Sequence, residues 1–600
     1  MRHTSLMAGL GAVAIASTGL VATTAQAGTT ATSGDVTIKP ATGPTGSGDV
    51  VVLADKGADL DEVVADVKAK GGKVTSVNEH IGLVTVSTSD AGFAKKARGI
   101  EGVRTAAAEI AVGRSPRMAA PAQDVEKEHH EVSETKKRTA DEARRKTAKK
   151  GDSRDKRGKK VKTDPLDSML WGHEMLQAFQ ARKHEDGKKK VVVGVIDTGV
   201  DATHPDIAGN FNHKLSRNFA RDIPMIDGDC EYDGCLDPAT VDENGHGTHV
   251  AGTIAAAQNG FGMSGIAPGV QLANIRAGQD SGYFFLSSVA DSLTWAADKG
   301  VDVVNMSFYV DPWAFNCRGG APEDNPEQAA QQDVTIETME RVLDYAHRRD
   351  VTLVGALGNG HEDLAKPRTD TSSPNFPEGV AHPRTIDNAT CFDLPVEGPH
   401  VIGVSSVGPT KTKSDFSNWT TDLYSDEIEV AAPGGWYRDG FGTESYRTNE
   451  NLILSAAPRG VLQAEGQVDE DGNITELGEA LGVIKECSRR PVARGAERCG
   501  YYQYLQGTSM AAPHASGVAA LIVSDRGRGG GKRFSADARE VEYVLKKSAV
   551  DQPCPEGGFQ SYVREGRSEE FTAECVSKPG FNGFYGDGIV NALKAVTSRR

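Results

Sequence analysis

The sequence predicts an α/β fold, a mainly parallel sheet between two helix layers, preceded by a small α+β unit of ferredoxin-like type. Two patterns carry that prediction. Beyond residue 164, uninterrupted β-branched runs alternate with helix-like stretches, as strands buried on both faces of a parallel sheet do. Before that point, residues 49–113 read strand, helix, strand, strand, helix, strand, the order of a ferredoxin-like module.

The elements follow in chain order. "MRHTSLMAGLGAVAIASTGLVATTAQAG" has Arg2, a short apolar stretch from Leu6 to Val21, and Ala25-Gln26-Ala27. That is the layout of a signal peptide over 1–27 rather than of a membrane helix. No later segment approaches 18 uninterrupted apolar residues, so a secreted chain without a stable membrane anchor is expected. Residues 28–48, rich in Gly, Thr and Ser, are expected to be a disordered leader. In the small unit, "DVVVLA", "KVTSVN", "IGLVTVST" and "EGVRTAAAEIAV" are strands, with "DLDEVVADVKAKGG" and "DAGFAKKARGI" as helices. Residues 114–163 lose almost all apolar character in "KEHHEVSETKKRTADEARRKTAKKGDSRDKRGKKVK". Such a run cannot bury a core, and it reads as a solvated linker open to proteolysis.

From 164 to 600 the strands are "KKKVVVGVIDTGV", "VQLANIR", "VDVVNMSF", "DVTLVGALGN" and "HVIGVSSV". Between them stand helical stretches such as "GTHVAGTIAAA", "SSVADSLTWAADKG" and "QDVTIETMERVLDYAHRRD". A net charge of −16 argues against nucleic acid as a partner. Eight cysteines lie beyond residue 200, and in a secreted chain they point to disulfides. Neighbour pairing (Cys230–Cys235, Cys487–Cys499 and Cys554–Cys575, leaving Cys317–Cys391) is the plainest arrangement.

In a parallel sheet, sites form at the carboxyl ends of the strands. Asp197 follows the first strand, His246 opens a helix in "ENGHGTHVAGT", Asn359 follows the fourth strand, and Ser509 enters a helix in "GTSMAAPH". Singly, these read as a turn residue, a surface histidine, a turn former and an N-cap. Together they supply what acyl transfer needs: a hydroxyl, a base, and a carboxylate to orient the base. Pro513 is expected in the first turn of its helix, where a missing N–H does little harm.

The strings "VIDTGVDATHPDI", "HGTHVAGT", "GIAPGV", "GTSMAAPH", "AAPGG" and "GFYGDGIVNALKAV" make residues 164–600 resemble the subtilisin-like serine proteases. The resemblance implies that Asp197 orients, His246 is the base and then the acid, Ser509 is the nucleophile, and Asn359 donates to the oxyanion. His249 and His514 would be structural. Ser281-Gly282 and Ser307-Phe308-Tyr309 would sandwich an extended peptide as an added strand, and Ala356-Leu357-Gly358 would wall the primary pocket. Tyr309 stands where glycine is common in the family. Asp206 and Asn259 match positions that help bind calcium in many members, although a turn aspartate and a turn asparagine explain them equally. The loop "DGDCEYDGCLD" reads as a second ion site or as a solvated disulfide loop. No cofactor is needed for the chemistry. The module at 49–113 resembles the family's inhibitory propeptide, with maturation expected between about 113 and 165. The expected partners are polypeptide substrates and the chain's own propeptide, around a monomer. Insertions are expected near 310–335 and 436–500. The competing expectation is a catalytically silent binding protein on a protease scaffold.

Overall fold

The computed structural model describes residues 48–109, 125–127 and 163–598, apart from 225, 377–378, 426 and 530–533. The expected signal peptide, the expected leader before residue 48 and most of the expected linker therefore lie outside the described residues. Among the described residues no helix is long and apolar enough to cross a membrane.

The first unit runs β1 (Gly48–Ala54), α1 (Leu60–Ala69), β2 (Lys73–Asn78), β3 (Leu83–Thr88), α2 (Phe93–Ala97) and β4 (Val103–Ala108). Its antiparallel sheet has the order β2-β3-β1-β4. One face of that sheet buries Val50, Val52, Val84 and Val86 under Val63, Val67 and Phe93 of its own helices. The alternate residues Val51, Leu53, Leu83 and Ala107 point the other way and join the core of the large domain. Period-two alternation with both faces apolar is what a sheet covered on both sides requires.

The large domain is built on a seven-stranded parallel sheet. Its strands are β5 (Val192–Ile196), β6 (Arg217–Asn218), β7 (Gln271–Arg276), β8 (Val303–Met306), β9 (Thr352–Ala356), β10 (Val401–Val407) and β11 (Val430–Pro433). Their spatial order is β11-β10-β9-β8-β5-β7-β6, and every pairing is parallel. All five predicted strands of this sheet are present. β11, inside "EVAAPGG", and the two-residue β6 were not expected, because runs of two to four residues carry too little periodicity to read.

Helix α3 (His246–Ala255) lies on one face of the sheet, and α4 (Leu286–Lys299) and α5 (Pro326–His347) lie on the other. α5 begins six residues before its expected start. Asn325 forms a full capping box with Gln328, and Pro326 occupies the first turn, where its fixed φ suits a helix. The expected insertion at 310–335 is therefore partly helix. The insertion at 436–500 adds an antiparallel sheet of β12 (Ile453–Ala457), β13 (Ile484–Cys487) and β14 (Cys499–Leu505), in the order β12-β14-β13. β14 leads directly into α6 (Thr508–Arg526), which is buried along almost its whole length. The four disulfides are Cys230–Cys235, Cys317–Cys391, Cys487–Cys499 and Cys554–Cys575, the neighbour pairing throughout.

Candidate active site

Asp197 is the first residue beyond β5 and is fully buried. Its backbone carbonyl accepts from the N–H groups of Ala277 and Gly278, both at 3.1 Å, which pins it to the end of β7. Its Oδ1 accepts the Thr198 N–H at 2.8 Å and the His246 Nδ1–H at 2.7 Å. Burial raises the Asp197 carboxyl above the usual carboxylate range, against the pull of His246. The imidazole therefore lies where its cation is attracted and its tautomer fixed, with the proton on Nδ1 and Nε2 left for the cleft.

His246 is the first residue of α3, and Asp242 fixes that helix start. One Asp242 oxygen accepts the Gly245 N–H at 2.8 Å and the Thr198 hydroxyl at 3.1 Å. The other accepts the N–H and hydroxyl of Thr248 at 2.9 and 2.5 Å. The N–H groups of a first helical turn have no intrahelical acceptor. Here Asn244 Oδ1 takes that of His246 at 3.3 Å, the Thr198 hydroxyl that of Gly247 at 3.2 Å, and Asp242 that of Thr248. Asp242, through Thr198 and the helix start, thus ties Asp197 and His246 to a common anchor. Gly247 must lack a side chain, since a Cβ there would fall 2.1 Å from the Gly199 carbonyl.

Ser509 is the second residue of α6. Its hydroxyl donates to the Ser307 carbonyl at 3.4 Å, while the Ser307 hydroxyl donates to the Ser509 carbonyl at 3.0 Å. The second bond has a cause in the sequence. Pro513 sits at the sixth position of the helix, not in its first turn, and lacks the N–H that would have met the Ser509 carbonyl. The Ser307 hydroxyl takes that place. Asn359 Oδ1 accepts both the N–H and the hydroxyl of Thr508 at 2.8 Å, which turns its amide nitrogen toward the space beside Ser509.

His246 Nε2 faces a third carboxylate. Glu126 Oε1 lies 3.5 Å away, both side chains are largely buried, and Glu126 is also within hydrogen-bonding reach of Ser509. The Gln506 N–H donates to the Glu126 carbonyl at 3.2 Å, and Gln506 Nε2 donates to the Val125 carbonyl at 2.9 Å. Lys127 pairs with Glu465 of the insertion. Residues 125–127 thus lie across His246 and Ser509. Burial disfavours the His246 cation, but Asp197 and Glu126 outweigh it and hold the imidazole pKa well above the ordinary histidine value. Glu126 resists its own burial through the same pairing and stays below its usual value.

A buried Asp–His pair and a serine at a helix mouth beside an amide donor agree with the family comparison. Residues 188–588 match the model of the subtilase family, peptidase S8. The chain belongs to the subtilase family. Fervidolysin of Fervidobacterium pennivorans is 28% identical over 397 residues, covering 65% of this chain and 41% of that protein. Thermitase of Thermoactinomyces vulgaris is 26% identical over 310 residues, covering 51% of this chain and 86% of thermitase. Among solved structures, the epidermin leader peptide processing serine protease EpiP of Staphylococcus aureus superposes with a TM-score of 0.57 at 17% identity, covering 92% of this chain and 99% of that one. The chain thus spans about two-fifths of fervidolysin and nearly all of EpiP's fold.

The other expected site residues of this subtilase fall in three places. Ser281, Gly282, Phe308 and Tyr309 are partly exposed along two neighbouring segments. Phe308 stacks on Phe284 with ring centroids 4.2 Å apart, and the Tyr309 hydroxyl accepts from Asn375 at 2.9 Å. Gly358 donates its N–H to the Thr508 hydroxyl at 3.1 Å and stands at φ +99°, whereas Leu357 is fully buried with Phe315 and Val396. His249 bonds to the Ile453 carbonyl at 3.0 Å and His514 to that of Met510 at 2.8 Å. Burial lowers their pKa values to about 3 and about 4, so both are neutral packing groups.

Asp206 and Asn259 do not fit a cation. The Asp206 oxygens accept from Asn259 Nδ2 at 3.1 Å, the Met263 N–H at 2.9 Å and the Tyr502 hydroxyl at 2.7 Å. Asn259 thus presents its donor end to Asp206, and its Oδ1 accepts the Phe261 N–H at 2.9 Å. Every bond at Asp206 is with a donor, and burial lifts its pKa to about 8. At the disulfide loop, Arg276 pairs with Asp222, Asp237 and Asp280. Carboxylate oxygens of Glu231, Asp237, Glu243 and Asp280 lie within 4.8 Å of one another, a spacing that could hold an ion. Asp242, Thr508 and Glu126 were missed by the sequence reading. Asp242 stands four residues before His246, just outside the recognised strings, and Thr508 one before Ser509, inside one; only their hydrogen bonds distinguish them. Glu126 lies in a segment whose composition gives no sign of a site.

Proposed function

We propose that this chain is a secreted serine endopeptidase that acts through Asp197, His246 and Ser509 and is made as a latent precursor. The observation that carries this reading is the 2.7 Å bond from His246 Nδ1 to Asp197 Oδ1, with Ser509 and Asn359 brought to the same cleft by α6 and β9. With the cleft free, His246 Nε2 takes the Ser509 proton as Oγ bonds to the substrate carbonyl carbon. The Asn359 amide and the Ser509 N–H, unpaired at a helix start, receive the negative oxygen. The C–N bond then breaks, and the amine leaves with the proton from His246. Water attacks the acyl-enzyme by the same route and releases the acid.

Latency has two supports. The 48–109 unit grips α4 and α5: Asn78 donates to Asp291 and Thr294, both at 2.8 Å, and Arg341 donates to the carbonyls of Ala54 and Ile81 at 2.8 and 2.9 Å. Residues 125–127 then carry Glu126 into contact with His246, where it blocks the base. Removal of both segments frees the cleft. Four disulfides and the signal-like first 27 residues support export.

The test is intact mass and fluorophosphonate labelling of the secreted wild type beside Ser509→Ala. Triad loss costs on the order of 10⁶ in kcat in subtilisin itself, so only the wild type should shed its N-terminal segments and take the label. An unlabelled and unprocessed wild type overturns the proposal.

A further inference from the structure

We infer that Asp393 is the floor of the primary pocket and that this enzyme cleaves after arginine or lysine. The inference rests on the protease reading above and names its substrate class.

Two segments meet at the mouth of α6, where the family resemblance places the primary pocket. Ser307 exchanges hydrogen bonds with Ser509, and Gly358 donates to the Thr508 hydroxyl. Asp393 stands behind both. A Cβ built on Gly358 would approach its Oδ2 to 3.2 Å. On the opposite wall, the Val310 N–H donates to the Leu394 carbonyl at 2.8 Å, which ties the residue after Asp393 to the residue after Tyr309. The Tyr309 phenol also feels the Asp393 charge.

The bonding of Asp393 is unusual for a carboxylate that is only 8% exposed. Its backbone is fully engaged: the N–H donates to the Glu397 carboxylate, and the carbonyl accepts the Glu397 N–H at 2.8 Å. Its carboxylate oxygens have neither a hydrogen bond nor an ion pair among the described residues. The cation that acts on it, Arg368, forms no ion pair with it among the described residues, although the buried Nε and Nη2 of Arg368 have no hydrogen-bond partner of their own. It donates to the carbonyls of Leu364 and Lys366 at 3.3 and 3.2 Å and lies over the Phe315 ring at 4.1 Å. A turn aspartate would use its side chain on nearby N–H groups. An unpaired carboxylate at nine-tenths burial is costly unless a partner arrives from outside. Burial lifts its pKa to about 7 against the pull of Arg368, and the neighbours Glu397 and Glu427, also raised by burial, add no positive charge.

A positively charged side chain is the chemistry that completes this site, through its ammonium or guanidinium N–H donors. The chain supplies such a substrate itself. Lys136-Lys137-Arg138, Arg144-Arg145-Lys146, Lys149-Lys150 and Lys156-Arg157 all fall in the segment between the small unit and the large domain. Cleavage after any of them separates the two.

The experiment compares kcat/KM of the processed enzyme on peptides that differ only in the residue before the scissile bond: Arg, Lys, Gln, Leu and Phe. Arg and Lys should exceed Leu and Phe by on the order of 10²-fold or more, since removing one partner of a desolvated ion pair carries a penalty of that size. Asp393→Asn should erase that ratio. A wild type that takes the fluorophosphonate label yet turns over Phe or Leu as fast as Arg overturns the inference and leaves the protease reading intact. Failure of labelling overturns the protease reading first. If Asp393→Asn does not accumulate, competition on the wild type between peptide aldehydes ending in arginine and in phenylalanine decides the question. Stronger inhibition by the phenylalanine aldehyde sinks the inference.

Discussion

Replacing Glu126 by glutamine in the full-length Ser509→Ala chain, which cannot cut itself, isolates the contact that blocks the base. Glu126 and His246 are 3.5 Å apart with side chains 13% and 14% exposed. Exposed ion pairs contribute about 0–1 kcal/mol, whereas breaking a fully buried one costs about 3–5 kcal/mol. This pair lies between those limits, and glutamine keeps a neutral hydrogen bond. A loss of about 2 kcal/mol is therefore expected, roughly 30-fold in the equilibrium for lifting residues 125–127. The readout is amide exchange at Gln506, whose N–H donates to the Glu126 carbonyl. It should quicken about 30-fold at pH 7. The dependence on pH has a definite sign. Glu126 is depressed in the folded chain, so its contribution is present above the ordinary glutamate value and is lost as pH falls through the depressed one. His246 is raised, so its contribution is complete below the ordinary histidine value and fades as pH rises through the raised one. Protection should therefore peak between about pH 4.5 and 6.5 and decline on both sides. Unchanged exchange at Gln506 in the glutamine variant, or a flat pH profile, refutes the argument.

Other outcomes follow from the same geometry. Asn359→Ala in the processed enzyme should lower kcat on the order of 10²–10³, the loss seen for the corresponding donor in subtilisin, with KM little moved; steady-state kinetics on one peptide series checks this. Asp242→Ala should lower the thermal midpoint and kcat together, since it strips the cap of α3 at a cost of about 1–2 kcal/mol and frees His246; calorimetry alongside kinetics reads both. Grip of the 48–109 unit should weaken as pH rises from about 5 to 8. Burial raises Glu109 to about 7 and Asp49 and Asp291 to about 6, so the docked state holds protons that the released state gives up, and docking loses stability through that window. Arg217 and Arg221 are the opposing cations, and Ser287 is the Glu109 partner. Exchange protection of β4 against pH, with Glu109→Gln flattening the curve, is the measurement. Replacing both Cys317 and Cys391 by serine opens a loop of 74 residues and should cost about 2–5 kcal/mol; because Asp393 lies two residues beyond Cys391, KM should rise as well, which peptide kinetics would show.

The parts of the molecule legible in one dimension share a local physical signature. Val192–Ile196 and Val401–Val407 are unbroken apolar strands, so burial on both faces could be read from composition alone. Asp197, His246, Asn359 and Ser509 were visible because each ends a strand or opens a helix, where sites of this fold class gather. The start of α5 was misplaced because the residues before Gln332 carry no helical periodicity, and the cap at Asn325 acts through hydrogen bonds rather than hydrophobicity. Pro513 was assigned to the first turn because its harm depends on which carbonyl it orphans, and only the neighbouring strand shows Ser307 answering it.

By itself, then, the sequence determined the α/β class, which rests on a pattern repeated along the chain, and named the side chains able to move a proton. The neighbour pairing of the cysteines was only its plainest arrangement until the structure brought Cys317 to Cys391 across 74 residues. Tertiary structure alone decided that Glu126 meets His246, that N–H and O–H donors surround the Asp206 carboxylate, and that the Asp393 carboxylate has no hydrogen-bond or ion-pair partner among the described residues. Those outcomes depend on which groups meet across tens to hundreds of residues, and the energy of a buried charge is set by that company and not by its own identity.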